Sequence, residues 1–243
     1  MNYLDFIAQL HEAVQPRSYL EIGVRGGDSL SLSRCESIGI DPDFAVNREL
    51  RAPTSLMRAK SDDYFEALGG RSPFEGRPID LAFIDGMHLI EFVVKDFANV
   101  EMRSEWSTVV VLDDVLPRNV DEAARDRHTQ EWTGDVFKIR NVLASIRPDL
   151  SLVVVDTQPT GLMIVLGLDP HNRQLFDEYD EIVRIQIAPD PQVIPSEVLE
   201  RSGSLAPETA LALPVWNEIR SGRDRYGAAA GRDAIAGSLK ALT

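Results

Sequence analysis

The sequence predicts an α/β protein: a mostly parallel sheet with helices on both faces, closed by an antiparallel hairpin. Three observations predict it. After Pro16, short apolar runs alternate with longer mixed segments, the texture of repeated β-α units. Two of those runs, Leu81-Ala82-Phe83-Ile84 and Val109-Val110-Val111-Leu112, are apolar on both faces, as central strands covered by helices must be. Finally, strand-like runs at 150–155 and 162–168 are joined only by Asp156-Thr157-Gln158-Pro159-Thr160-Gly161. That link is too short for a helical crossover but permits a hairpin.

Taken in order, residues 2–14 place Leu4, Ile7, Leu10 and Val14 at helical spacing, with Asn2 available as a cap. Strands follow at 19–24, 37–41, 56–59, 80–85 and 108–113. Between the last two, residues 89–106 carry Ile90, Val93, Phe97 and Val100 on one helical face. Beyond His171 no strand is evident: Leu175, Tyr179 and Ile182 mark a helix, and a proline-rich stretch occupies 189–195. The Ala- and Gly-rich tail, 206–243, reads as one or two modest helices that pack on the domain, mediate self-association or fray. The expected division is a domain at 1–174, including its N-terminal helix, and a helical extension at 175–243.

Composition narrows the function classes. The chain has 243 residues, 26% charged and 44% hydrophobic, the balance of a folded soluble protein. A formal net charge of -14 repels nucleic-acid phosphates and anionic lipid, so neither is an expected partner. Cys35 is the only cysteine, which suits a reducing compartment. Neither a secretory signal nor an apolar run of roughly 20 residues is evident. The expectation is a cytoplasmic protein with a small-molecule partner and a possible homo-oligomeric state.

The chemistry-bearing residues gather at strand ends. The first strand runs into Glu21-Ile22-Gly23-Val24-Arg25-Gly26-Gly27-Asp28-Ser29, where glycines allow a sharp turn and close approach of a ligand to the main chain. The spacing is not that of G-x-G-x-x-G dinucleotide binders, and the acidic Glu21 suits a ligand with a cationic amino-acid end. A tight turn that binds nothing is the alternative. The second strand ends at Asp41, which can accept hydrogen bonds from the hydroxyls of an adenosine ribose, although a strand-to-helix turn also favours Asp. Lys60-Ser61-Asp62-Asp63 either caps a helix or supplies polar groups where an adenine ring would lie.

Phe83-Ile84-Asp85-Gly86-Met87-His88 and Val111-Leu112-Asp113-Asp114 close two apolar strands read as neighbours, about 4.8 Å apart. Three carboxylates so placed repel one another, and a hard divalent cation such as Mg²⁺ resolves the conflict with oxygen ligands. The other reading has these acids capping helices and facing solvent. At the same mouth His88 can take a proton from a substrate hydroxyl, or can simply be a packed residue. His11 and His171 read as structural, and His128 falls in a polar stretch able to cover a site.

This ordered set resembles class I methyltransferases that use S-adenosyl-L-methionine. It is most similar to metal-dependent catechol-type O-methyltransferases and to small bacterial enzymes related to macrocin O-methyltransferase. The resemblance covers roughly residues 18–170 and implies a Rossmann-like, seven-stranded sheet with a C-terminal antiparallel strand. It implies that Glu21 and Gly23 lie at the methionyl part of the cofactor, Asp41 at its ribose, and Ser61 and Asp62 near its adenine. Gly27 and Ser29 belong to the same cofactor loop. Asp85, Asp113 and Asp114 match the metal ligands, with a third Asp where catechol-type enzymes commonly have Asn; His88 falls where they carry a lysine base.

The expected function is therefore a magnesium-assisted O-methylation of a small hydroxylated acceptor, with His88 and Asp85 as catalytic groups. Residues 117–134 would cover the site, and Trp106 and Trp132 are either apolar walls or core. Two rival readings are a methyltransferase-like module that binds without catalysis and a nicotinamide-dependent oxidoreductase. The glycine spacing and the hairpin speak against the latter.

Overall fold

The computed structural model describes residues 1–240. Helix α1 (Tyr3–Val14) is followed by β1 (Ser18–Ile22), β2 (Glu36–Ile40), β3 (Thr54–Met57), α2 (Ser61–Leu68) and β4 (Leu81–Ile84). Next come α3 (Ile90–Glu101), β5 (Val109–Leu112), α4 (Ile139–Ile146), β6 (Ser151–Val155) and β7 (Leu162–Leu166). The C-terminal part is helical: α5 (Gln174–Asp177), α6 (Tyr179–Gln186), α7 (Ser196–Leu199), α8 (Pro207–Leu211), α9 (Val215–Gly222) and α10 (Ala228–Leu239).

The strands form one seven-stranded sheet in the order β3-β2-β1-β4-β5-β7-β6. All neighbours are parallel except at β7, which is antiparallel to both β5 and β6. This is the mostly parallel, Rossmann-like sheet with a terminal hairpin that the periodicity and the short 156–161 link predict. The chain runs outward from β1 to β3, then returns to the other side of β1 as β4. The order therefore reverses between β1 and β4, the place where open α/β sheets bind ligands beyond their carboxyl ends.

Two cores sandwich the sheet, and the pleat decides which residues enter each. Leu20, Ile22, Ala82, Ile84, Val110 and Leu112 face the layer of Phe65, Phe97 and Leu143 from α2, α3 and α4. Tyr19, Leu81, Phe83, Val109 and Val111 face Phe6 and Leu10 of α1 and Trp216, Ile219 and Ile235 of α9 and α10. Asn2 caps α1 by accepting from the Leu4 N–H at 2.9 Å. The C-terminal helices are fastened to this face by the buried Arg223, whose guanidinium donates to Asp80 Oδ2 at 2.9 Å and to the Val14 carbonyl at 2.6 Å.

The short connection between the first two strands leaves no room for a helix of ordinary length. Residues 28–36 hold only a single 3-10 turn, Leu30–Leu32, so β1 reaches β2 without a full helix. Helix α4, the crossover from β5 to β6, and a third helix in the tail add to the elements expected. Trp106 is a core residue, 3% exposed, beneath the ring of Tyr226. Among the described residues no helix is long and apolar enough to cross a membrane.

Candidate functional site

The site grows from the two strands that flank the switch point. Gly23 leaves β1 with φ +90°, and a Cβ there would lie 1.8 Å from the Asp85 carbonyl oxygen. Only glycine lets the β1 and β4 ends pass so closely, and the Asp85 N–H donates to the Ile22 carbonyl at 2.8 Å to lock them. Asp41, at the end of β2, is held by two main-chain donors: the Arg25 N–H at 2.7 Å and the Asp43 N–H at 2.6 Å. A carboxylate has lone pairs beyond these two. Gly23, Asp41, Ser61, Asp62 and Gly86 all line one cavity of about 420 Å³, within the range for small-molecule sites.

Three cofactor residues expected from the sequence are not on that wall. Glu21 is fully buried behind the turn, accepting from Tyr19 Oη at 2.6 Å and from Ser29 Oγ at 2.8 Å. Burial pushes its carboxyl up to about 8, against the opposing pull of these donors and the Leu30 N–H. Gly27 is buried against Val46, with φ +82°. Glu21 and Ser29 form an internal strut beneath the glycine turn. On the cavity wall, Asp62 accepts from Lys95 Nζ at 2.9 Å, and Ser61 hydrogen-bonds Asp96.

A second group adjoins the cavity. Potential ligand atoms of Asp85, His88 and Asp114 all lie within 4.8 Å of one another. His88 Nε2 is 3.5 Å from Asp85 Oδ1, and His88 Nδ1 contacts Asp114 Oδ2. That contact is not an aligned hydrogen bond, so the buried Nδ1 has no hydrogen-bond partner. His88 (φ +57°) and Asp114 (φ +62°) both occupy the left-handed region, uncommon for such residues and concentrated at functional sites. Desolvation, with Asp113 and Asp114 nearby, pushes the Asp85 carboxyl well above the carboxylate range.

Asp113 stands apart from this trio. Its Oδ1 accepts from the Asp114 N–H at 2.8 Å, and burial followed by the charge of Asp114 raises its carboxyl well above the usual range. The sheet register pairs Ile84 with Leu112, so the Asp85 and Asp113 positions follow one another across the edge. The three aspartates are thus neighbours, but the group that converges in ligand geometry contains His88 in place of Asp113.

Three contributors, Tyr3, Phe92 and Asp96, escaped the sequence reading, because each comes from a helix rather than from a strand end. Tyr3 of α1 stacks on Phe83 at 6.5 Å. Burial first, then the charges of Asp113, Asp85, Asp28 and Asp114, raises its phenol above the ordinary tyrosine range. Phe92 and Asp96 of α3 line the cavity, as does the exposed Met87. Trp132, from the segment expected to cover the site, stacks on His88 with centroids 5.1 Å apart. That segment is pinned by Asp135, which accepts from the Ile90 N–H at 2.9 Å at the start of α3. Arg125 braces it further, bridging Glu91 at 2.6 Å and Asp135 at 2.7 Å. Gly134 packs on the His88 carbonyl, where a Cβ would lie 1.8 Å away. His128 is exposed and hydrogen-bonds the Asp126 carbonyl through Nδ1 at 2.8 Å, away from this cluster.

The sheet order, the single antiparallel strand and the cavity at the switch point define the class I methyltransferase fold. A family model described as a methyltransferase domain matches residues 20–115, the span from β1 to the end of β5 that holds both the cavity and the acidic cluster. The structure is similar to an O-methyltransferase from Bacillus cereus in complex with SAH, with TM-score 0.51 and 18% identity over 69% of this chain and 80% of that one. It is also similar to the O-methyltransferase TomG from Streptomyces achromogenes, involved in tomaymycin synthesis and in complex with SAM (TM-score 0.52, 21% identity, 68% of this chain and 78% of that one). Cofactor-bound Rv0187 from MTB gives TM-score 0.51 and 21% identity over 68% and 78% of the two chains. No curated protein matches the sequence.

Proposed function

We propose that the chain is an S-adenosyl-L-methionine-dependent O-methyltransferase acting on a small hydroxylated acceptor, a sugar or natural-product hydroxyl, with a divalent cation at the acidic cluster. One observation carries this reading: the ligand-sized cavity and the Asp85–His88–Asp114 group share a wall, since Gly86 lines the first and Asp85 belongs to the second. The SAM, SAH and cofactor complexes of the similar structures support the cofactor assignment.

On this reading Gly23 admits the cofactor close to the main chain, and Asp41 receives the ribose hydroxyls on its remaining lone pairs. Glu21 and Ser29 act indirectly, by holding the turn from below. The cluster suits a divalent cation: two carboxylates and an imidazole within 4.8 Å, with a buried His88 Nδ1 otherwise lacking a hydrogen-bond partner. Asp85, His88 and Asp114 would hold the ion, which when bound supplies Lewis acidity that lowers the pKa of an acceptor hydroxyl. Asp113 would support them by fixing the Asp114 backbone. With its Nδ1 lone pair given to the ion, a neutral His88 would carry its proton on Nε2, which faces Asp85 at 3.5 Å, and the hydroxyl proton would pass to solvent. Trp132, stacked on His88, keeps the imidazole in place and limits water on that side.

Titration calorimetry of the protein with S-adenosyl-L-methionine tests the proposal. Binding is expected, and Asp41→Ala should weaken it about 10- to 100-fold through loss of charge-assisted hydrogen bonds worth roughly 1.5–3 kcal/mol. A chain that takes up no cofactor would not be a methyltransferase.

A further inference from the structure

The proline-rich stretch at 189–195 lies outside both the cavity and the acidic cluster, yet it holds the segment that covers that cluster. The Asp190 carboxylate accepts from two successive main-chain donors of the cover, the Arg125 N–H at 3.0 Å and the Asp126 N–H at 3.2 Å. Gln192 braces it: Nε2 donates to Asp190 Oδ1 at 2.8 Å and to the Ala188 carbonyl at 3.0 Å. Gln192 is itself buried, so the brace is set in the body of the protein. Burial alone would raise the Asp190 carboxyl. The Gln192 amide, the two N–H groups and the Arg125 charge outweigh it and hold the group below its ordinary value. An ionised acceptor makes the stronger hydrogen bonds. A second fastening comes from Lys138, whose Nζ donates to the Gln186 carbonyl at 2.7 Å and to Asp135 Oδ2 at 2.9 Å. The stretch 186–192 therefore grips the cover at two points.

Residues 113–135 form no helix or strand, and a loop of that length keeps one conformation only where its backbone is tied down. From Asp190 the contacts run without a break to the site. Arg125 sends its guanidinium to Glu91 of α3 and to Asp135. The preceding Ala124 carbonyl accepts from Trp132 Nε1 at 2.6 Å, and the Trp132 ring stacks on His88. We propose that Asp190 is a positioning residue for the acidic cluster: it fastens the cover so that Trp132 holds the His88 imidazole beside Asp85 and Asp114. Only the last step, an effect on a bound cation, rests on the cation reading above. The sheet edge supplies the ligands, and the C-terminal extension sets the order of the segment packed on them.

Hydrogen exchange followed by mass spectrometry on the ligand-free protein tests the fastening in wild type, Asp190→Ala and Asp190→Asn. Loss of charge-assisted hydrogen bonds should raise exchange across 124–134 about 10-fold in Asp190→Ala, while β1, β4 and β5 stay as protected as before. Asp190→Asn keeps one acceptor oxygen and should fall between the two. Trp132 gives a second reading, because it is half-buried whereas Trp106 and Trp216 are buried. Acrylamide quenching of tryptophan emission should therefore increase in Asp190→Ala. Mn²⁺ binding, followed by electron paramagnetic resonance, reads the link to the site. It should weaken on the order of threefold to tenfold in Asp190→Ala, below the roughly 10- to 100-fold of a group that touches a ligand directly. Unchanged exchange at 124–134 would overturn the proposal, as would an equal rise over the whole sheet, which would make Asp190 a general stabiliser. Unaltered Mn²⁺ affinity in a variant whose cover has loosened would overturn the positioning role. A wild-type protein that takes up no Mn²⁺ removes the cation reading, while exchange and quenching still decide whether Asp190 orders Trp132 over His88.

Discussion

Glu21 offers a quantitative test of how the glycine turn is supported. Its carboxyl is fully buried, accepts from Tyr19 and Ser29, and is pushed from 4.5 to about 8. Between pH 6 and 8 an unfolded chain has already lost this proton, whereas the native protein keeps it until about pH 8. The native state binds more protons, so stability from this group is present at low pH and is lost as pH rises through the folded-state value. At about 1.4 kcal/mol per pH unit, flattening near pH 8, the loss from pH 6 to pH 8 is about 2 kcal/mol. Glu21→Gln preserves the shape and cannot ionise, and the Tyr19 and Ser29 hydroxyls can rotate to meet an amide. Urea unfolding of both proteins at pH 6, 7 and 8, without ligand, isolates the effect, because every other titrating group is common to the two. The stability of the variant relative to the wild type should rise by about 2 kcal/mol across this range. A constant difference would mean that Glu21 is ionised in the folded protein and that the turn rests on a charged strut rather than a neutral one.

Two further outcomes follow from the same physics. His11 is 6% exposed, packs edge-to-face on Tyr19 at 4.7 Å and has no partner for Nε2; burial, then the charge of Arg34, lowers it from 6.5 to about 4. The unfolded chain takes up a proton first as pH falls, so the wild type should lose about 2 kcal/mol between pH 7 and 5 that His11→Phe does not lose, read from denaturant midpoints; parallel pH profiles would rule this out. At the acidic cluster, Asp114→Ala removes a converging ligand whereas Asp113→Ala removes a neighbour. Binding of Mn²⁺ followed by electron paramagnetic resonance should weaken about 10- to 100-fold or more in the first and clearly less in the second. Equal losses would restore the all-aspartate set suggested by the sequence.

The turn at Gly23, the acids at the ends of β2, β4 and β5, and the antiparallel hairpin were legible in the sequence because their causes are local. Four-residue runs apolar on both faces and bounded by turn residues read as covered strands, a six-residue link cannot carry a crossover helix, and glycine marks a backbone position closed to a side chain. Boundaries moved by a residue or two at each strand, since apolar character continues past the last ladder hydrogen bond, as at Val24 and Leu168.

Direction and convergence were decided by the tertiary structure. Whether Glu21 met the cavity or the interior depended on the pleat: it shares a face with Tyr19 and is turned toward Ser29 behind the loop. The selection of His88 over Asp113 depended on left-handed backbone at His88 and Asp114, which no spacing rule announces in non-glycine residues. Tyr3, Asp96 and Trp132 reach the site from helices and a covering segment far away in sequence. The sequence by itself therefore determined the sheet, its edge and the kinds of residue gathered there, because periodicity and turn chemistry act over a few residues. Which side chains meet in space was determined only when α1, α3 and the 117–138 segment packed together, because burial and contact are properties of the assembled chain.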